Sequence, residues 1–260
     1  MRGLLLFDID GVIRDVSGSY RRAIQETVFQ FTNSRPNLSE IDHLKGEGLW
    51  NNDWDASNEL IKRHFKKAKT HFKMPTRGAI IKVFNEFYFG GDPSSKSNEW
   101  TGFIKDEPLM VDKVFFKKLT ENNIKWGFVS GAEKSSAKYL LEERLNLNKP
   151  ALIAMEDAPG KPDPEGLIRI SKELLRSNLG KNSAPIAYLG DTVADIATIK
   201  EARKSFPEQL FISFGIAPPH LHQSDKESER IRYEQNLLLA GADKIIKSMI
   251  ELLEEVNNYF

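Results

Sequence analysis

Apolar and polar positions along this chain change their period twice, and each change marks a different kind of element. Leu4-Leu5-Leu6-Phe7 is a short continuous apolar run leading into Asp8-Ile9-Asp10-Gly11-Val12, which predicts a buried strand that ends in two carboxylates. From about Ser19 to Asn33 the period becomes helical, with Ala23, Ile24, Val28 and Phe31 on one stripe and Ser34-Arg35-Pro36-Asn37 as a stop. Ser39 and Glu40 suit the start of a short helix that Gly46-Glu47-Gly48 breaks. Leu60, Ile61, Phe65 and Ala68 form another helical stripe ended by Met74-Pro75, and a further helix is expected from Thr76 to Tyr88. Between Asp15 and Lys105 no run has the alternation of a strand.

The period then changes again. Val111, Val114, Phe115 and Leu119 give a helix face, followed by the strand Lys125–Val129. A helix through Ala137, Leu140, Leu141 and Leu145, the strand Ala151–Ala154, a helix from Pro164 to Arg176 and the strand Pro185–Leu189 follow in turn. A helix is expected after Asp195, then the strand Leu210–Phe214, and last a strand and helix through Ile245, Met249, Ile250 and Leu253. Short apolar strands alternating with helices predict an α/β fold, a doubly wound parallel sheet covered on both faces. The expected domains are a core from residues 1–14 and 106–260, with an α-helical domain of residues 15–105 inserted after the first strand. Residues 216–238 read as a long excursion, with a surface helix as the simplest account.

Composition narrows the function classes. With 260 residues, 40% hydrophobic and 28% charged, the chain has enough apolar surface for a sizeable core. Its 37 basic and 37 acidic side chains cancel, so no global charge recruits nucleic acid or an anionic membrane. The absence of cysteine excludes disulfides, thiolate metal sites and cysteine nucleophiles. Only four apolar residues precede Asp8, and no run reaches the ~18 residues of a membrane span, so a cytoplasmic protein is the expectation.

Ligands of open parallel sheets bind beyond the carboxyl ends of the strands, and four such ends here carry polar groups. Asp8 and Asp10 share one side of their strand, because side chains alternate. Two like charges so close raise each other's pKa unless a cation lies between them, which suggests a divalent-metal site as against a merely solvated strand end. Ser130-Gly131 offers a hydroxyl and free amides to a phosphate oxygen, although alone it is an ordinary turn. Lys161 stands before Pro162-Asp163-Pro164, where restricted backbone holds its charge in place, whereas a lone lysine is usually a solvated surface group. Gly190-Asp191 ends the next strand, and Asp195 falls in the first turn of the helix beyond, where an acid also suits the helix dipole.

The ordered set Asp8-Ile9-Asp10-Gly11-Val12, Ser130, Lys161 and Gly190-Asp191 with Asp195 resembles the haloacid dehalogenase superfamily. The helical insertion is similar to the first-type cap of its phosphoglycolate phosphatase and β-phosphoglucomutase branch. The resemblance implies a Rossmann-like core, an aspartyl-phosphate mechanism and Mg2+ as cofactor. Asp8 would be the nucleophile and Asp10 the general acid and base. Asp8, the backbone carbonyl of Asp10 and Asp191 would hold the metal, with Asp195 as support. Ser130, Gly131 and Lys161 would bind the phosphoryl group. A second aspartate at position 10 favours phosphate esters over carbon–halogen bonds, because halide departs without a proton.

The expectation is therefore a Mg2+-dependent phosphatase of a small phosphorylated metabolite, monomeric or homodimeric. A phosphomutase is the enzymatic alternative, and a non-catalytic phosphate-binding or regulatory protein the other. Neither G-x-G-x-x-G nor G-x-x-x-x-G-K-[ST] occurs, which disfavours a dinucleotide-binding protein. Within the insertion, Glu47 to Asp55 falls where this family carries a substrate-specificity loop. Trp50 and Trp54 suit an apolar wall or the insertion's own core, and Asn51 and Asp53 suit polar contacts. Arg14, Tyr20 and Arg21 read as residues able to reach between the two domains or as bland helix-surface groups.

Overall fold

A computed structural model describes residues 1–47, 49–50, 52–69 and 73–260. The chain divides into two compact units, Met1–Asp15 with Pro108–Phe260, and Val16–Glu107.

The first unit is built on six parallel strands in the order β3-β2-β1-β4-β5-β6. The strands are β1 Gly3–Phe7, β2 Ile124–Val129, β3 Leu152–Ile153, β4 Ile186–Gly190, β5 Phe211–Ile216 and β6 Lys244–Ile246. β1 lies in the interior of the sheet and is buried at every position, which is why its sequence is a continuous apolar run without alternation. Its residues still divide by parity. Leu5 and Phe7 join one core with Phe116, Phe128, Leu189 and Phe214, while Leu4 and Leu6 join another with Ile170, Ile186, Tyr188 and Ile199. Each fully buried Leu or Phe contributes roughly 1.5–3 kcal/mol of hydrophobic stabilisation before entropy is counted.

Between β1 and β2 come four helices, α1 Tyr20–Thr32, α2 Leu38–Gly46, α3 Asp53–Ala68 and α4 Arg77–Tyr88, which make up most of the second unit. The sheet's own helices are α5 Lys113–Glu121, α6 Lys134–Lys138, α7 Glu165–Leu175, α8 Val193–Ser205, α9 Glu227–Ala240 and α10 Met249–Tyr259. A wider π-type turn over Tyr139–Arg144 continues α6. Residues of α5, α6 and α10 line the first core, and those of α7 and α8 the second, so both sheet faces are covered.

Several boundaries differ from the sequence reading. β3 pairs over two residues where four were expected, α8 begins at Val193, before Asp195, and Gly190 still belongs to β4. The excursion after β5 holds α9, which is packed on α8 through one of its faces. Among the described residues no helix is long and apolar enough to cross a membrane.

The second unit contains no strand among its described residues. Asn37 caps α2 through a reciprocal box with Glu40, Asn52 caps α3 by accepting from Trp54 N and Asp55 N, and Thr76 caps α4. Its core combines aliphatic residues such as Ile24, Ile61 and Ile80 with an aromatic cluster. Tyr20 stacks on Tyr88 at 4.2 Å between centroids, and Phe89 meets both Tyr88 and Trp100 edge-on at 4.7 Å. Glu107, 2% exposed, accepts from Ser19 Oγ at 2.5 Å and Tyr88 Oη at 3.0 Å, so this buried carboxylate has hydrogen-bond donors to meet it.

Candidate active site

Parallel register brings the strand ends level. Phe7 is paired with Phe128 on one side and Leu189 on the other, so the chain beyond each partner emerges at one rim of the sheet. Asp8 N–H still donates to Leu189 O at 2.9 Å, which fixes Asp8 as the first residue past the β1 ladder. After Asp10 the backbone folds back at once. Gly11 adopts φ +76°, and a Cβ there would lie 2.1 Å from Asp191 Oδ2, so a side chain at position 11 would displace Asp191 as well as strain the turn. On β4, a Cβ at Gly190 would lie 2.2 Å from that of Asp195, which makes this glycine the space into which Asp195 fits.

Oxygen atoms of Asp8, Asp191 and Asp195 lie within 4.8 Å of one another, all three residues being buried. One cation is built in. Lys161 Nζ lies 2.9 Å from Asp8 Oδ1 and 2.5 Å from Asp195 Oδ1. Asp195 is saturated by protein donors: Oδ1 takes Lys161 Nζ and Tyr188 Oη at 2.8 Å, and Oδ2 takes Thr192 N at 2.9 Å and Thr192 Oγ1 at 2.6 Å. Thr192 and Asp195 form a capping box at the start of α8, so the helix terminus holds the carboxylate still. With its oxygens committed to Lys161, Tyr188 and Thr192, Asp195 orients the lysine and leaves Asp8 and Asp191 as the carboxylates better placed for a cation.

The charge states follow from burial and neighbours. Burial pushes the Asp8 carboxyl up to about 6, with Lys161 opposing and the charges of Asp195 and Asp10 assisting. Asp191 is pushed well above the usual carboxylate range by burial and by Asp195 and Asp8. For Asp195 burial is outweighed by Lys161 and the Thr192 donors, so its carboxyl lies below its ordinary value. Lys161 is raised although burial opposes its charge, because Asp195 and Asp8 both face it. Three carboxylates against one ammonium leave excess negative charge in a site of oxygen donors only, the chemistry that a hard divalent cation satisfies.

Ser130 and Gly131 follow β2, the strand next to β1. Ser130 is buried and its Oγ accepts from Ala132 N at 3.1 Å, while Gly131 is exposed. The structure thus gathers Asp8, Lys161, Asp191 and Asp195 into one contact network and ends β2 in Ser130 at the same rim.

Four further residues belong to this network. Tyr188, 1% exposed, directs its hydroxyl at both Val129 O (2.9 Å) and Asp195, and its ring lies 5.5 Å from Lys161 Nζ. Thr192 holds Asp195 as described, and Tyr233 of α9 donates to Asp191 O at 2.8 Å, which gives the excursion a contact at the site. Arg14, 0% exposed, puts its Nε 2.6 Å from Asp10 Oδ1. Thr192-x-x-Asp195 was visible as a capping signature. Nothing marked Tyr188 within its apolar strand, and Arg14 is neither helical nor on the surface.

The described residues singled out in the insertion make contacts within the second unit. Trp50 Nε1 donates to Glu47 Oε2 at 3.0 Å, Asp53 lies 2.6 Å from Lys45, and the Trp54 ring lies 5.4 Å from the Arg77 guanidinium. Asp53 and Asp55 are first-turn acids of α3, and Arg21 pairs with Asp42. Asn51 lies outside the described residues.

Comparison with known proteins agrees with this geometry. Residues 3–203 match the family model described as "Hydrolase: haloacid dehalogenase-like hydrolase". The chain belongs to the haloacid dehalogenase-like hydrolases. It is similar to phosphatase Tt82 from Thermococcus thioreducens, at 22% identity, covering 90% of this chain and 98% of that one with a TM-score of 0.59. It is also similar to a predicted phosphoglycolate phosphatase from Haemophilus somnus 129pt, at 12% identity, covering 98% and 99% with a TM-score of 0.69. At these identities the likeness is one of fold. A curated relative, imidazoleglycerol-phosphate dehydratase of Phytophthora nicotianae, is 30% identical over 220 residues, 84% of this chain, and the chain spans 44% of that protein's length.

Proposed function

We propose that the protein is a Mg2+-dependent phosphatase that hydrolyses a small phosphomonoester through an aspartyl phosphate on Asp8. The observation that carries this reading is Lys161 held between Asp8 and Asp195, with Asp191 completing a carboxylate cluster. Asp8, Asp191 and the backbone carbonyl of Asp10 are the groups that would hold Mg2+. When bound, the ion would offset the negative charge of the phosphate and of the carboxylate that attacks it.

Lys161 neutralises a phosphoryl oxygen, and Ser130 with the Gly131 amide receives another. An Asp8 oxygen attacks phosphorus while the ester oxygen departs, taking a proton from Asp10. Asp10, now a carboxylate, removes a proton from water, which attacks the acyl phosphate and releases inorganic phosphate and free Asp8. Asp195 takes no proton in this sequence; with Tyr188 and Thr192 it keeps Lys161 on target.

For the substrate class, we propose an alkyl phosphate carrying an imidazole. Its support is the 30% identity with a protein whose name states a phosphate monoester of that kind. Release of inorganic phosphate from an imidazole-bearing alkyl phosphate, measured beside sugar phosphates and phosphoglycolate with Mg2+, tests both levels. Preferential release from the imidazole ester is expected. Release only from the other esters overturns the substrate class, and isomerisation without release identifies a phosphomutase. No turnover of any ester, even with added divalent cation, overturns the enzyme reading in favour of phosphate binding alone.

A further inference from the structure

Arg14 heads the largest fully buried side chains among the described residues, and a guanidinium cannot discharge itself by losing a proton. Burying it is costly unless its charge meets a partner, and one carboxylate that it meets is that of Asp10, at 2.6 Å from Nε. The backbone gives Arg14 little freedom. Its carbonyl accepts from Gly11 N at 2.9 Å, its N–H donates to Ile9 O at 3.2 Å, and it bridges to Leu109. On either side of it, Met110 N donates to Ile13 O and Asp15 N to Pro108 O, both at 2.9 Å. Arg14 therefore sits where the outgoing and returning segments of the first unit are laced together. Asp10 keeps 26% of its side chain open, so the arginine fixes one carboxylate oxygen without enclosing the group.

We propose that Arg14 is a positioning residue for Asp10: its buried guanidinium holds the carboxyl in the one orientation from which it delivers a proton to the departing ester oxygen. This rests on the reading of Asp10 as the acid. In the step concerned, the Asp8 oxygen–phosphorus bond forms, the phosphorus–ester oxygen bond breaks, and the Asp10 proton passes to that oxygen, leaving Asp10 as a carboxylate facing Arg14. An arginine performs this better than a lysine, because its planar fork fixes direction as well as charge.

Leaving-group dependence separates positioning from structural support. Values of kcat/KM, which report the first phosphoryl transfer, are compared for p-nitrophenyl phosphate, whose leaving group departs without a proton, and an alkyl phosphate that needs one. Arg14→Gln is expected to lower kcat/KM for the alkyl ester on the order of 10²-fold, and that for the aryl ester far less. Arg14→Lys should recover part of the loss, and Asp10→Asn should show the same asymmetry. An equal loss on both esters in Arg14→Gln, with the asymmetry kept in Asp10→Asn, overturns the positioning role and leaves the acid reading standing. Absence of asymmetry in Asp10→Asn removes the acid reading, and the proposal with it. Circular dichroism establishes folding. If only Arg14→Gln fails to fold, Arg14→Lys carries the same comparison. Unfolding of both variants makes Arg14 a structural cation and overturns the proposal.

Discussion

In each unit a cation lies between two carboxylates, Lys161 in the first and Arg63 in the second, and Asp8 and Glu47 beside them behave in opposite ways. Lys161 lies between Asp8 and Asp195, with side-chain exposures of 14%, 9% and 0%. Arg63 lies between Glu47, at 2.7 and 2.8 Å, and Glu59, at 2.9 Å, and is itself 42% exposed. In the exposed triad the hydrogen bonds from Arg63 and Trp50 win, and Glu47 is lowered to about 2. In the buried one desolvation wins, and Asp8 rises to about 6 beside an equally close cation. Contact with a positive group alone therefore does not decide the state of a carboxylate: at Asp8 burial outweighs Lys161, whereas at the equally buried Asp195 Lys161 and the Thr192 donors outweigh burial. The carboxylate cluster around Lys161 is left short of positive charge, and the surface clamp at Arg63 is not.

The sharpest break of this contrast is Asp8→Asn. Turnover should vanish, while the melting temperature should not fall, since a buried like charge has been removed; phosphate release and thermal melting test both, and wild-type turnover would remove Asp8 as nucleophile. Next comes Lys161→Met, which leaves Asp8 and Asp195 buried with no cation. Urea unfolding without metal should show a loss of about 3–5 kcal/mol, the usual cost of breaking a buried pair from one side. Removal of divalent ions by a chelator should stop turnover and leave the fold intact, with recovery on adding Mg2+; turnover in excess chelator would contradict the assignment.

Acid–base behaviour should differ in sign between the triads. Asp8 has a folded value near 6 against 3.8 when unfolded, so the native state holds the extra proton between these values. Its contribution to the stability of metal-free protein therefore falls as pH rises from about 4 to 6, and added Mg2+ should stabilise most above pH 6. Glu47, lowered to about 2 from 4.5, contributes above pH 4.5 and loses that contribution as pH falls toward 2. Denaturation midpoints against pH, compared with Asp8→Asn and Glu47→Gln, read the two slopes. The smallest effect is that of Arg63→Met at neutral pH, whose midpoint should fall only slightly, because exposed pairs are screened by water.

What was legible in the sequence follows the same division. β1 was readable because burial on both faces leaves no room for polar residues, and the two-residue alternation then set Asp8 and Asp10 to one side. Lys161, Asp191 and Asp195 stood out because each breaks the local pattern next to a strand end. Tyr188 did not, since its ring fits an apolar strand and only its hydroxyl tip, reaching Asp195, reveals a further part. Arg14 stands four residues after Asp10, the spacing of a helix-surface pair, and only the reversal of the backbone at Gly11 carries it inward. Asp53 suited a polar contact by its type and place; local structure also uses it, beside Lys45 and in the first turn of α3, which Asn52 caps. In the helical unit polar residues have many local uses, so their types alone say little about what they do.

β1 comes first in the chain, yet its partners β2 and β4 begin at Ile124 and Ile186. Gly3–Phe7 must therefore remain an unpaired, sticky segment on a growing polypeptide until the chain through Val129 has followed it. Asp8 is thus synthesised well before Lys161 and Asp191, the groups that meet it, and any condition that delays sheet closure leaves this segment open to self-association in the meantime.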